Sequence, residues 1–336
     1  MPKFQTTLLF DLDGTLIDST PAILEGFHYA FAHLGAAEPS DEAIKKVIGH
    51  PLEVMFERLG VTRDVQNFVL AYKQRYAQIF LDQTVLLSGA YEAVRAASEF
   101  ANLGVVTTKT SKFSKILLHQ LVIAKFFGTI DGREDVQDPK PSAEPILKAL
   151  ENLGICGATT SKSSNTISSK ACYATADENT SAASRNAILS EISAPDLKSL
   201  PALDPDSSKV FEQNLSKAKS DRHEAGDNSQ KSCVDIEGES DKGGARGGKI
   251  YDAHELNSTP CYDKICSDEI LLSVSQNIFM IGDTSLDAIS AKSAAVRSVG
   301  VSCGYGSASE LRAHFEFVCA DAKEAVELIR EISSKF

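Results

Sequence analysis

Short apolar runs bounded by turn residues predict strands over Thr7–Phe10, Leu103–Thr107, Gly128–Asp131, Ile278–Gly282, Val296–Val301 and Phe317–Cys319. Between them apolar positions recur at helical spacing, which predicts helices over Tyr91–Phe100, Ser111–Leu121, Ala143–Leu153, Ala288–Ala294 and Ala322–Ile332. Strands that are apolar on both faces and alternate with helices imply a parallel sheet covered on both sides. The stretch 18–88 has a different texture. Its pattern is helical throughout, with segments near Ile23–Leu34, Asp41–Val47, Pro51–Leu59 and Val65–Phe80, and no strand separates them.

The expected fold class is therefore α/β: a Rossmann-like parallel sheet core with a helical cap domain inserted after strand one. The core comprises residues 1–17, 89–155 and 277–336, and the cap residues 18–88. Residues 156–276 break both patterns. Segments such as SKSSNTISSK, LPALDPDSSK and GESDKGGARGGK are rich in Ser, Gly, Asp and Lys, and Phe211 is the one phenylalanine of that span. Such a composition buries too little apolar surface to offset its ordering entropy, so the span reads as a mostly disordered insertion. Short helices are expected in it near Ala182–Ile192 and Ser267–Val274.

Charge narrows the range of partners. The chain of 336 residues carries a net charge of −12, about −6 of it in the 156–276 span. That balance argues against nucleic acid or an anionic membrane surface as a general partner. No apolar run approaches a membrane span, and the opening MPKFQTTLLFDLDG lacks the apolar region of a signal peptide. Seven cysteines in no compact framework suit a reducing, cytoplasmic setting. His254, Cys261 and Cys266 are too loosely spaced to favour a metal clip over unpaired thiols.

In a parallel sheet, ligands sit beyond the carboxyl ends of the strands. The residues at those ends form one chemical set. The first strand ends in Asp11 and Asp13, the second in Thr107, Thr108 and Lys109, and the fourth in Gly282, Asp283 and Thr284, with Asp287 a helical turn later. Asp138-Pro139-Lys140-Pro141 falls on the same edge. Two carboxylates as close as Asp11 and Asp13 resist ionising together unless a cation lies between them. Asp11, Asp13 and Asp283 make a hard oxygen site suited to Mg²⁺. A hydroxyl, a lysine and the backbone N–H groups around Gly14 make a cradle for a phosphoryl group.

DLDGT, the threonine after GVV, the lysine of DPKP and GDTSLD, in that order, resemble the motifs of the haloacid dehalogenase superfamily. GHPLEVMFERLG and VSCGYGSASEL are similar to its phosphoglycolate phosphatase-type members with a helical cap. The resemblance covers everything except the 156–276 span. It implies a phosphomonoester hydrolase acting on a small phosphorylated metabolite. Asp11 would be the nucleophile. Asp13 would be the acid and base, with its backbone carbonyl on Mg²⁺. Thr107, Thr108 and Lys140 would hold the phosphoryl oxygens, Asp283 would bind Mg²⁺ with Asp11, and Asp287 would steady Lys140 or a metal-bound water. Thr108 departs from the asparagine common in such phosphatases. In the cap, Gly49, His50 and Arg58 are the candidates for substrate recognition.

Taken singly, these residues have simpler readings. Asp13-Gly14 could be a turn, Asp283 and Asp287 helix caps, Lys109 and Lys140 solvated charges, and His50 a structural neighbour of Pro51. Only their joint placement at one sheet edge outweighs that. Within the superfamily, Asp13 argues against dehalogenases and against phosphonatases, although Lys45 and Lys46 are available in the cap. Ile23 stands where sugar-phosphate mutases carry a cap histidine. Two alternatives stay open: pyrophosphate or nucleoside monophosphate hydrolysis by the same site, or a non-catalytic interaction protein that uses the insertion. The oligomeric state is not legible.

Overall fold

The computed structural model describes residues 4–155 and 277–334. The expected helices near Ala182–Ile192 and Ser267–Val274, and the His254, Cys261 and Cys266 group, lie outside the described residues.

Six strands form one parallel sheet in the order β5-β4-β1-β6-β7-β8. They are β1 (Thr6–Phe10), β4 (Ala101–Val106), β5 (Thr129–Asp131), β6 (Ile278–Gly282), β7 (Arg297–Val301) and β8 (Phe317–Cys319). β1 is central: Leu9 faces Gly104 of β4 on one side and Met280 of β6 on the other. All five residues of β1 and of β6 are buried, as two-sided burial in a parallel sheet requires. The chain builds β4 and β5 on one side of β1 and then crosses to β6 on the other. Such a reversal of strand order opens a crevice at the carboxyl ends.

Helices α5 (Ala90–Ala97), α6 (Ser111–Gln120), α7 (Glu144–Asn152), α8 (Ser285–Ser293), α9 (Ala308–His314) and α10 (Ala322–Ser333) accompany the sheet. α10 shows why a sequence of this kind forms a surface helix. Ala322, Ala325, Val326 and Ile329 recur at helical spacing and are buried, while Asp321 caps the first turn by accepting from the Glu324 N–H at 2.9 Å.

Between β1 and β4 the chain forms α1 (Thr20–His33), α2 (Asp41–Lys45), α3 (Leu52–Arg58) and α4 (Val65–Ile79). A two-stranded antiparallel ribbon, β2 (Ile17–Asp18) with β3 (Val85–Leu86), joins the way in to the way out. The helical block has its own aromatic centre. Phe27 lies 4.6 Å from Phe56 and 5.0 Å from Tyr72, and Phe31 lies 5.2 Å from Phe68 between ring centroids. Gly26 lets α1 approach α4 there, because a Cβ would meet the Tyr72 ring at 2.7 Å.

Several elements differ from the sequence pattern in extent. β4 starts at Ala101 because the Asn102 amide donates to the carbonyls of Phe4 and Thr6, which draws the chain into the sheet early. α5 correspondingly ends at Ala97 rather than Phe100. α8 starts at Ser285, where Thr284 and Asp287 form a capping box. α9 and the β2–β3 ribbon had no counterpart in the pattern. Among the described residues, no helix is long and apolar enough to cross a membrane.

Candidate active site

The carboxyl ends of β1, β4 and β6 bring the expected polar residues together. Asp11 follows β1 directly, and its N–H donates to the Ile281 carbonyl of β6 at 2.8 Å. Lys140 reaches it from the loop before α7. That loop is pinned by Glu144, whose carboxylate accepts the N–H groups of Gln137 and Asp138 at 2.9 and 2.7 Å, and by Ser290 of α8, which donates to the Ser142 carbonyl at 2.6 Å. The Lys140 Nζ donates to Asp11 Oδ1 and to Asp287 Oδ1, both at 2.6 Å. The other oxygen of Asp287 accepts from the Thr284 hydroxyl and N–H at 2.9 and 3.1 Å. One residue therefore caps its own helix and holds the lysine.

Asp283 completes this group from the end of β6. It is fully buried and accepts from the Tyr305 N–H at 2.7 Å and the Thr15 hydroxyl at 3.3 Å. Gly14 and Gly304 wrap it closely. Gly14 has a φ of 82°, and a Cβ on it would stand 2.8 Å from the Asp283 carboxyl carbon, so a side chain there meets strain and collision together. Carboxylate oxygens of Asp11, Asp283 and Asp287 lie within 4.8 Å of one another.

This clustering shows in the acidities. Burial, followed by the neighbouring charges, raises Asp11 to about 7, with Lys140 partly offsetting the rise. Asp283 is raised well above the usual carboxylate range by burial and by the charges of Asp11 and Asp287. Burial opposes the charge of Lys140, but Asp11 and Asp287 together hold it above the ordinary lysine range. Three buried carboxylates whose oxygens converge this closely form a hard oxygen donor set that fits Mg²⁺.

Asp13 is separated from this cluster. Asp287, not Asp13, is the third carboxylate of that group: the Asp13 backbone carbonyl follows Asp11 by two residues, but the Asp13 side chain turns toward the helical block. There it accepts from the Ser19 hydroxyl and pairs with the Lys109 Nζ at 3.1 Å. Lys109 in turn donates to the Tyr76 hydroxyl of α4 at 2.8 Å. Tyr305, between Gly304 and Gly306, bonds the Thr20 hydroxyl of α1 at 3.0 Å.

The remaining candidates are placed as follows. Thr107 is buried at the end of β4, and its hydroxyl accepts from the Lys109 N–H at 3.2 Å. The Thr108 hydroxyl donates to the Gly49 carbonyl at 3.0 Å, so those two residues meet each other across core and helical block. His50 is half-buried, its pKa lowered by burial and then by Arg58, while Arg58 itself is exposed. Tyr76 and Tyr305 were not among the sequence candidates. The glycines flanking Tyr305 were the available signal for one; Tyr76 had none, since its position fits the buried face of α4.

The family model described as haloacid dehalogenase-like hydrolase matches residues 8–161. A pyrophosphatase PpaX of Halalkalibacterium halodurans is 33% identical over 150 residues, 44% of this chain and 69% of that protein. The chain belongs to the haloacid dehalogenase-like hydrolases. A phosphoglycolate phosphatase of Aquifex aeolicus is 30% identical over 152 residues, 44% of this chain and 70% of that protein. A haloacid dehalogenase-like hydrolase of Streptococcus pneumoniae shares the fold with a TM-score of 0.56 at 16% identity, covering 96% of this chain and 97% of that one. The enzyme is a phosphoglycolate phosphatase-like member of the family.

Proposed function

We propose that this hydrolase is an Mg²⁺-dependent phosphomonoesterase for small phosphorylated metabolites and works through an aspartyl phosphate. One observation carries the reading: two carboxylates two residues apart, Asp11 and Asp13, occupy different surroundings. Asp11 is buried against Lys140, while Asp13 is set apart beside Lys109. Paired carboxylates in contrasting environments are suited to different roles in one reaction.

Asp11 attacks phosphorus as the bond to the leaving oxygen breaks, and Asp13 delivers a proton to that oxygen. Water then attacks the same phosphorus. Asp13 takes up its proton, the bond from Asp11 to phosphorus breaks, and inorganic phosphate leaves. Thr107 and Lys140 hold the phosphoryl oxygens, and Lys140 offsets the charge of the nucleophile. Asp11, Asp283 and the Asp13 backbone carbonyl would hold Mg²⁺, which supplies charge neutralisation at the phosphoryl group. Asp287 acts through Lys140. The block 18–88 is assigned as the cap over the site, and its contacts to the core through Gly49 and Tyr76 support that.

A second reading, hydrolysis of pyrophosphate by the same residues, is favoured by the likeness to pyrophosphatase PpaX. Phosphate release by the full chain from a metabolite panel, with and without Mg²⁺, tests both. Release should require Mg²⁺ and stop in EDTA. Full activity in EDTA, or no release from any small phosphate ester or pyrophosphate, would overturn the proposal.

A further inference from the structure

The mechanism above leaves the largely enclosed Lys109 unused. Lys109 follows β4, and its side chain is only 9% exposed. It lies on the acid side of the site, remote from the Asp11–Lys140 pair in its bonding. Its ammonium meets Asp13 Oδ2 at 3.1 Å and the Tyr76 hydroxyl at 2.8 Å. An ammonium has three donors, so among the described residues one remains for a ligand.

Its partner across the interface is rigid. Tyr76 is 2% exposed and stacks on Tyr72 and Phe80, with the Phe113 ring edge-on at 5.3 Å. The Lys109 Nζ also lies 4.7 Å from the centre of the Tyr76 ring. Burial and the nearby Asp13 charge keep the Tyr76 phenol well above its ordinary pKa, so its hydroxyl stays neutral. Core and helical block thus fix the ammonium in place.

The location determines what it can recognise. The leaving oxygen must come within hydrogen-bond reach of Asp13, so the groups around Asp13 line the leaving-group side of the pocket. We infer that Lys109, anchored on Tyr76, is a specificity residue that binds an anion carried by the leaving group itself. This rests on the phosphatase reading and narrows its substrate class. A carboxylate two bonds from the leaving oxygen, as in phosphoglycolate, or the second phosphate of pyrophosphate, would sit within reach of the free N–H donor. The neutral leaving groups of sugar phosphates and nucleoside monophosphates would offer the remaining donor of this largely enclosed ammonium no charged partner, which forfeits binding.

The test compares phosphoglycolate, pyrophosphate and ethyl phosphate on the full chain with Mg²⁺. Ethyl phosphate has the size of phosphoglycolate but no second anion. Wild type should favour at least one of the anionic pair over ethyl phosphate by about 100-fold in kcat/KM, the range expected for a hydrogen bond to a charged group. Which of the two is favoured identifies the anion. Lys109→Met should cut that preference by about 30-fold, chiefly through KM, and Lys109→Arg should restore much of it. Equal kcat/KM for all three substrates in wild type would overturn the inference while leaving the phosphatase reading intact, and that comparison holds even if Lys109→Met does not fold. An equal loss on all three in Lys109→Met would also overturn it and make Lys109 a positioning residue for Asp13. No turnover of any of the three would overturn this inference, and the metabolite panel would then decide the phosphatase reading separately.

Discussion

Two neighbouring regions of the site differ in how they are built. The region around Asp11 consists of Asp11, Lys140, Asp283 and Asp287, all supplied by the sheet core and at most 8% exposed. The region around Asp13 consists of Asp13, Ser19, Lys109 and Tyr76, drawn from the core, the β2–α1 junction and α4. The first is fixed once the sheet forms. The second exists only when the helical block is seated on the core. On the proposed mechanism, chemistry common to many phosphate esters would reside in the first region, and the contacts that choose among esters in the second.

Changing one carboxylate at a time should separate the two regions most strongly. Asp11→Asn should abolish turnover of every substrate, a loss of about 10⁴-fold or more, because an amide is no nucleophile. Asp13→Asn should cost about 10²–10⁴-fold with alkyl phosphates, whose leaving oxygen needs a proton, and far less with nitrophenyl phosphate. Steady-state kinetics with both leaving-group types checks this. Equal losses for both would remove Asp13 from the acid role.

Stability should divide the two lysines in the same way. Lys140→Met leaves Asp11 and Asp287 buried without their cation, and breaking such a pair costs about 3–5 kcal/mol. Lys109→Met breaks one less deeply buried pair instead of two and should cost less. Urea unfolding midpoints measure both, and the reverse order would contradict the division.

A smaller effect concerns pH. Burial raises Asp11 from the model-peptide range near 4 to about 7, so between those values the folded metal-free protein binds more protons than the unfolded chain. Its stability should therefore fall as pH rises through that window and level off above it. Mg²⁺ favours the ionised form, so it should raise Tm by several degrees at pH 8 and by much less at pH 5. Thermal melts with Mg²⁺ and with EDTA at the two pH values decide it.

The smallest effect is expected from the 156–276 span. The described chain leaves α7 with Leu153 against Gly128 at the amino end of β5, and resumes at Asn277, whose carbonyl accepts the Thr7 N–H. Both ends lie at the sheet edge opposite Asp11. We predict that replacing residues 157–275 with a short Gly-Ser linker changes kcat/KM less than about threefold, since loop length alters closure free energy only slowly. A folded but inactive deletion protein would contradict this.

Much of this was legible in the sequence, and the exceptions have physical causes. The buried strands β1 and β6 and the polar residues at their ends were visible because two-sided burial leaves unbroken apolar runs that stop where chemistry begins. α9 was not, because Leu311 is its one buried residue and gives no period. β2 and β3 were hidden by their two-residue length. The sequence could place Asp13 beside Asp11 along the chain but not turn its side chain toward Lys109, since that depends on where α4 carries Tyr76. Tyr76 reads as a core position because it is one; its hydroxyl alone reaches the site.

Transfer of the phosphoryl group to Asp11 can be detected by mass spectrometry of protein quenched in acid during turnover with Mg²⁺. An adduct of one phosphoryl group is expected on the peptide containing Asp11. The adduct should accumulate further in Asp13→Asn, where hydrolysis is slowed, and be absent in Asp11→Asn. Turnover without any adduct in wild type and in Asp13→Asn, or an undiminished rate in Asp11→Asn, would contradict it.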